Sequence, residues 1–277
     1  FKIRMNIRAY FYLILCTLFW SGNFIVGKVA TLFEIPPLTL NFYRWFLAFL
    51  ILCPFTLKGV IMNYEEIKKN FLVLVIMGFT SISVFNSVVY YSLNYTQVLN
   101  GVLMISTIPV FIIFFSGLFK TESIRIYQII GVVISLMGVI SIITKLDLSL
   151  LLALKLNKGD LWMLVAMISW TTYSLLLGKK KVKLEPFIFL QTIIIIGLLF
   201  LLPMYIAEVF VGKKITLNFP VLMTIGYVVF FAGIGAYTFW NAAIKLIGPS
   251  RSGVFLHLMP IFSSLMAVFL LGEQFSF

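Results

Sequence analysis

The second half of this chain repeats its first half in altered form, and both halves are strongly apolar. Residues 92–122 align with residues 243–273 without a gap, at a constant offset of 151. A second match joins the tract around Trp20 to the tract around Trp170, within one residue of the same offset. Internal symmetry in an apolar chain is typical of transporters that hold their site at the interface of two repeats. The repeat therefore constrains both the fold and the class of function.

Apolar residues dominate the composition, since 62% of the chain is hydrophobic and only 11% is charged. A helix that crosses a bilayer needs about 20 apolar residues. Such runs predict nine crossing helices, named here span one to span nine, at approximately 9–32, 38–57, 71–93, 97–119, 126–144, 159–178, 186–210, 219–244 and 252–271. The runs are continuously apolar, whereas barrel strands alternate over about 10 residues. The sequence predicts an all-α integral membrane protein.

The first half contains five spans, which is an odd number, so the second half enters the membrane from the opposite side. The repeats are then inverted and related by an axis in the membrane plane. We predict a first five-helix repeat at 9–145 and a second repeat at 156–277 that contains four helices. Because the first half continues past Glu122 into a fifth span, we expect a tenth span after Phe277 and interpret both chain ends as trimmed.

The net charge of +12 follows the sides of the membrane. With the N-terminus in the cytoplasm, fourteen Lys and Arg fall on the inner side and five on the outer side, while Lys28 and Arg44 lie within spans. This asymmetry obeys the positive-inside rule, and basic residues at the surface also suit anionic lipids. We expect a multi-pass protein with a cytoplasmic N-terminus and membrane lipids as partners, and no nucleic-acid partner.

All nine Asp and Glu residues map to loops or helix ends. Because ionisable groups deep in a membrane are costly and functional by default, their absence from span interiors argues against a proton relay through a buried acid. It also removes the carboxylate pair of a hydrolase, and no HExxH or GxSxG motif is present. A membrane-embedded enzyme and a channel are kept as alternatives to a carrier, although the sequence has no filter-like loop. We predict no catalytic residue, cofactor or metal.

Several motifs recur in the two halves or begin a span: Trp20-Ser-Gly-Asn23, Pro-Pro-Leu-Thr (36–39) with Arg44, and the Pro109 and Pro260 spans that end at Glu122 and Leu271-Gly-Glu273. These motifs resemble the drug/metabolite transporter superfamily, in particular its EamA-type ten-span members. The chain departs from the family pattern where Phe119-Lys-Thr-Glu122 replaces the usual Gly-Glu pairing at the end of span four, and where the expected tenth span is missing. The resemblance implies secondary transport of small metabolites, often export, across the bacterial inner membrane. It also implies a central cavity surrounded by spans one to four and six to nine, with spans five and ten as scaffold.

Polar and aromatic residues occupy matching places in the two halves. Asn86 and Tyr90 are four residues apart in span three, hence on one helix face. At an offset of 151, span eight carries Tyr237 and Asn241, with the order of the two types swapped. This repetition predicts a cavity lined from both halves, although hydrogen bonding between helices is the alternative reason for such residues.

Two further pairs stand at matching places in spans one and six. Trp20 with Asn23, and Trp170 with Tyr173, are each three residues apart. We predict that they complete the lining. Aromatic residues make up 17% of the chain, and most of them are interpreted as lipid-facing and belt residues.

Arg44 lies within span two, and its counterpart in span seven is the apolar Ile195. The repeat therefore does not require a charge at this position. Arg44 is interpreted either as a counter-charge for an anionic or zwitterionic substrate, or as a side chain that snorkels to carbonyls near the outer interface. It is included among the predicted substrate-binding residues.

The only histidine, His257, precedes Pro260 by three residues in span nine, and its counterpart is Ser106. A proline leaves the carbonyl four residues earlier without its helix bond and kinks the helix. We predict that Pro260 and its counterpart Pro109 act as hinges. His257, a further candidate for substrate binding, is either a pH-sensitive gate or a neutral side chain bonded within the bundle.

Small residues line span five at Gly131, Ser135 and Gly138. They suit close helix packing, either against the bundle or in a homodimer. Together, the patterns predict a carrier of a small organic metabolite, such as an amino acid or a related compound, that works by alternating access. The resemblance implies that the carrier exports this metabolite. A lining of aromatic and amide groups without an acid suits a neutral, zwitterionic or anionic substrate.

Overall fold

The computed structural model describes residues 6–96, 98–144, 157–179, 182–212 and 215–271. Within these ranges the chain is helical and contains no strand. By length and composition, seven of its helices can cross a membrane: Ile7–Leu32, Pro37–Met62, Phe71–Ser92, Gly101–Leu118, Lys158–Lys179, Pro186–Phe210 and Phe219–Ile247. The predicted all-helical, multi-pass membrane fold is confirmed.

Spans five and nine are not among these seven helices. Span five is the helix Ile126–Thr144, of which Ile126–Gly138 is a shorter apolar helix. Span nine is divided into Pro249–Gly253, a 3-10 turn at Val254–His257 and the helix Leu258–Leu271. The count of nine crossing helices therefore stays a prediction. The predicted linker between the repeats and Glu273 lie outside the described residues.

Proline and asparagine define where several spans begin. Pro37, Pro186 and Pro249 occupy the first turn of spans two, seven and nine, where a missing N–H costs no helix bond. Asn218 accepts a hydrogen bond from the Val221 N–H at 3.0 Å and caps span eight. A short surface helix, Tyr64–Lys69, joins spans two and three. The local sequence thus fixes the helix starts.

The core of the bundle is made by both halves together. Span two packs along span seven, span one packs on spans eight and nine, and span six packs on span three. Each of these contacts joins a helix of the first half to a helix of the second. The largest fully buried side chains, which include Trp45, Trp170, Trp240 and Arg44, lie in this shared interior.

Interruptions of the α-helix occur at matching places in the two halves. Span three contains a π segment at Phe79–Phe85, and span eight contains one at Val228–Gly235. Span four is broken by a turn at Ser106 and Thr107, and span nine by its 3-10 turn. Such local geometries are rare and often mark functional sites. Pro109 and Pro260 each follow a break within three residues, and their role as hinges stays a prediction.

Spans one, two, six and seven are continuous helices by contrast. Pro54 and Pro203 lie inside spans two and seven without ending either helix. The small-residue face of span five is partly used within the bundle, because Ser135 contacts His257. A side chain at Gly131 or Gly138 would meet no described atom within 4 Å. The homodimer stays a prediction.

Candidate functional site

Residues at the same place in the two halves touch each other at the centre of the bundle. The Asn86 amide donates to the Tyr237 hydroxyl at 3.0 Å, across 151 positions of the sequence. The Trp20 and Trp170 rings meet edge to face, with centroids 5.0 Å apart. Residues related by a two-fold axis can touch only close to that axis. The predicted pairs therefore mark the middle of the interface between the halves.

Hydrogen bonds connect the amide and tyrosine pairs. The Tyr90 hydroxyl donates to Asn23 Oδ1 at 2.9 Å, and the Tyr237 hydroxyl donates to the Ser81 carbonyl at 2.7 Å. In the second half, the Tyr173 hydroxyl donates to Asn241 Oδ1. The bonds through Tyr90, Asn86 and Tyr237 run from span one through span three to span eight. The structure brings these predicted residues into one connected cluster.

Arg44 is fully buried beside this cluster. Its Nη1 donates to Asn86 Oδ1 at 2.8 Å and to the Tyr90 hydroxyl at 2.9 Å. Its Nη2 donates to the Ala232 carbonyl at 2.7 Å, within the π segment of span eight. The guanidinium also lies 5.0 Å from the centroid of the Trp45 ring. The side chain therefore points into the bundle and does not snorkel towards the membrane surface.

An aromatic cluster surrounds these polar groups. The Trp240 ring lies 5.4 Å from Trp20 and 5.7 Å from Trp170. The Trp45 ring lies 4.7 Å from Tyr237 in an edge-to-face arrangement. Trp45 and Trp240 are fully buried, so they depart from the interpretation of aromatic residues as lipid-facing. Sequence analysis missed both, although each directly adjoins a predicted site residue, Arg44 or Asn241.

A small cavity lies between the two halves at this cluster. Its lining combines aromatic, amide and aliphatic side chains from both halves: Trp20, Asn23, Phe24, Phe85, Asn86, Val89, Ile105, Ile108, Trp170, Leu256 and Met259. Its volume of about 20 Å³ holds a single water molecule, whereas organic ligands occupy pockets of about 300 Å³ or more. The described conformation is therefore closed around its centre.

The predicted site residues stand at different distances from this cavity. Four of them line it, namely Trp20, Asn23, Asn86 and Trp170. Arg44, Tyr90 and Tyr237 form the layer behind, since each bonds to Asn86 or Asn23. Tyr173 and Asn241 bond to each other, and the Tyr173 ring lies 5.2 Å from Trp170.

His257 lies apart from the cavity lining. Its Nε2 is 2.7 Å from the Ser106 carbonyl, and its Nδ1 contacts the Ser135 hydroxyl. Because a carbonyl only accepts, Nε2 carries a proton. The ring therefore joins span nine to spans four and five rather than facing the centre. This arrangement agrees with a histidine bonded within the bundle.

The seven carboxylates that the structure describes lie in turns, in the short surface helix or at helix ends, as the sequence predicts. Four of them, Glu66, Glu122, Asp160 and Glu208, accept hydrogen bonds from the other half. Glu208 accepts from the Thr39 N–H at 2.7 Å and from its hydroxyl at 2.9 Å, at the start of span two. Glu122 accepts from the Ser250 N–H at 3.2 Å, at the start of span nine. Within the described ranges, no cluster of His, Cys, Asp and Glu could hold a metal.

Comparison with known proteins gives a consistent family. The EamA-like transporter family matches residues 7–144 and again residues 157–277. A protein of Archaeoglobus fulgidus named "Uncharacterized transporter" is 28% identical, over 98% of this chain and 91% of that protein. "Uncharacterized transporter YyaM" of Bacillus subtilis is 26% identical, over 92% of this chain and 84% of that protein. One solved crystal structure superposes with a TM-score of 0.74 at 14% identity, over 97% of this chain and 90% of the other, which shows a shared fold.

Proposed function

The chain belongs to the EamA-like transporter family, and from that premise we propose that it is a secondary carrier rather than an enzyme. It exports a small organic metabolite, an amino acid or a related compound, across the bacterial inner membrane by alternating access. The observation that carries this proposal is the closed cavity at the centre of the repeat interface, lined by Trp20 and Asn23 from one half and Trp170 from the other. Inverted-repeat carriers hold their substrate at such an interface.

Alternating access requires parts of the bundle to move around this centre. The interruptions in spans three, four and nine lie beside the cavity, because Phe85, Ile108 and Leu256 line it. The π segment of span eight lies behind this lining, where its Ala232 carbonyl accepts from Arg44. Discontinuous helices commonly form the binding sites of carriers. We assign the motion to the two predicted five-helix repeats, 9–145 and 156–277, with Pro109 and Pro260 as hinges.

The chemistry of the lining selects the class of substrate. Aromatic faces and amide groups suit stacking and hydrogen bonding with an organic body. None of the seven described carboxylates lines the cavity, so a bare cation would find no counter-charge among them. Transport is then facilitated diffusion or exchange of a neutral, zwitterionic or anionic metabolite. The excess of Lys and Arg on one side orients the N-terminus to the cytoplasm.

Counterflow in proteoliposomes tests the proposal. The purified full chain is reconstituted with an unlabelled mixture of amino acids inside, and the same compounds are added outside in labelled form. A carrier gives saturable uptake that accelerates when unlabelled substrate is present inside. Linear flux without exchange acceleration would support the channel alternative. The variant Trp170→Ala should lose the counterflow, while Phe210→Ala, at an exposed helix end, serves as the control.

A further inference from the structure

Arg44 is a buried charge without a described counter-ion. Its partners are the neutral oxygens of Asn86, Tyr90 and Ala232. Within the part of the chain that the structure describes, no Asp or Glu contacts it. An isolated charge in an apolar interior is strongly disfavoured unless an opposite charge is supplied. A negative group from outside the chain would therefore be strongly attracted to this position.

The cluster around Arg44 also contains buried hydrogen-bond donors that lack an acceptor. Four buried N–H groups lack an acceptor among the described residues: Arg44 Nε, Trp45 Nε1, Trp240 Nε1 and Asn241 Nδ2. Ring contacts of Trp45 and Trp240 with Tyr237, Trp20 and Trp170 place both indoles in the central cluster. Buried donors are normally satisfied. A ligand for this cluster should therefore bring oxygen acceptors as well as negative charge.

We propose that the substrate carries one carboxylate and that Arg44 binds this carboxylate. In the closed state, the Asn86 amide oxygen occupies the position of the carboxylate on Arg44. The inference rests on the proposed carrier function and names the group that the site recognises. Asn86 both lines the cavity and accepts from Arg44 Nη1. A carboxylate that enters the opened cavity reaches the guanidinium by replacing one neutral acceptor. A charge-assisted bond is roughly twice as strong as a neutral bond.

Charge balance favours a carboxylate over a phosphate. One carboxylate neutralises the single charge of Arg44, whereas a phosphate monoester with nearly two negative charges would leave an uncompensated charge in the membrane. Arg44 is the only Lys or Arg among the fully buried side chains that the structure describes. The aromatic rings around it suit an apolar or aromatic body. Charge balance therefore favours an organic monocarboxylate, and an amino acid would in addition need neutral oxygen acceptors such as Asn23 Oδ1 for its ammonium group.

Matched ligands test the proposal without any variant. The purified full chain is titrated with 3-phenylpropanoate, phenylalanine, phenylalaninamide, phenethylamine and phenyl phosphate, and with 4-methylpentanoate, leucine and leucinamide. Melting temperature and tryptophan fluorescence report binding, because Trp20, Trp45, Trp170 and Trp240 all belong to the cluster. In at least one of the two series, phenyl or branched aliphatic, we expect the carboxylate ligands to bind tenfold or more tightly than the matched ligands that lack the carboxylate. Equal binding of acid and amide, or tighter binding of phenyl phosphate, would overturn the proposal.

Variants then assign the preference to Arg44. In Arg44→Gln, the acid should bind no better than the amide, and Arg44→Lys should recover part of the preference. Lys28→Gln changes an exposed cation near the end of span one and should keep the wild-type preference. If Arg44→Gln keeps the preference for acids, Arg44 is not the carboxylate site. If Arg44→Gln does not fold, Arg44→Lys and the matched ligands still decide the question.

The experiment also separates this inference from the proposed function. If no carboxylate binds but counterflow is found for uncharged solutes such as nucleosides, the protein is a carrier and the carboxylate site is rejected. If carboxylates bind with the expected preference but no exchange is found, the site stands and the carrier function fails. Acid-selective binding that depends on Arg44, together with exchange of the same acid, supports both.

Discussion

The two halves of this protein share their backbone geometry but differ in charge and polarity. The π segments at Phe79–Phe85 and Val228–Gly235 occupy matching places, and spans four and nine are both broken. The side chains differ, because the residue that corresponds to buried Arg44 in the second half is the apolar Ile195. The difference separates two tasks. In the proposed mechanism, the features that both halves share serve a motion that both make, and the features of only one half serve the recognition of an asymmetric substrate.

The largest expected effect comes from replacing Arg44, and its counterpart Ile195 provides the comparison. Arg44→Gln should lower transport at least tenfold, about 1.4 kcal/mol, because it removes the only Lys or Arg that is fully buried among the described side chains. Ile195→Gln at the counterpart position should change transport less than twofold. Initial rates in proteoliposomes, normalised to folded protein, measure both. Equal losses of transport in the two variants would mean that Arg44 has no special role in substrate recognition.

A somewhat smaller effect is expected from the shared backbone geometry. In Gly233→Ala, the new Cβ would stand 2.9 Å from the Val228 carbonyl inside the π segment, and such overpacking costs about 1–3 kcal/mol. Gly226→Ala in the same span meets no described atom within 4 Å and is the matched control. The melting temperature and the exchange rate should both fall for Gly233→Ala and stay unchanged for Gly226→Ala. A normal exchange rate in Gly233→Ala would show that the π segment takes no part in the transport motion.

The smallest effect is expected at His257. His257→Ser installs the residue found at the counterpart position, Ser106, and removes two hydrogen bonds outside the cavity. Each net bond contributes about 1 kcal/mol, so stability should decrease modestly while exchange stays within about threefold. Exchange is measured across pH 5–8, where a histidine changes charge. A pH dependence present in the wild type and lost in the variant would restore the interpretation of His257 as a gate.

Helix periodicity and the internal repeat are enough to predict much of the candidate site. The spacings of Asn86 with Tyr90 and Tyr237 with Asn241 place each pair on one helix face, and the structure bonds them at the repeat interface. Periodicity does not identify the partner of each face. Trp45 therefore escaped prediction, because its burial depends on span eight.

Local backbone geometry was beyond what the sequence patterns could predict. The π segment Phe79–Phe85 contains neither Gly nor Pro, so no helix-breaking residue marks it. The closed volume of the cavity depends on how both halves pack, which no single span encodes. The direction of Arg44 was also open, since a long side chain in a span can turn inward or snorkel. Its partners from spans three and eight decide it.

The proposed site depends on the inversion of the two halves, which can be tested by labelling counterpart positions from the two sides of the membrane. Glu65 follows span two, and Thr216, its counterpart at an offset of 151, follows span seven; both are exposed. With Cys16 and Cys53 replaced by Ala, single variants Glu65→Cys and Thr216→Cys are treated on intact cells with a membrane-impermeant maleimide. If the halves are inverted, Thr216→Cys is labelled from outside, and Glu65→Cys is labelled only after the membrane is opened. Labelling of both from the same side would contradict the inversion and the site built on it.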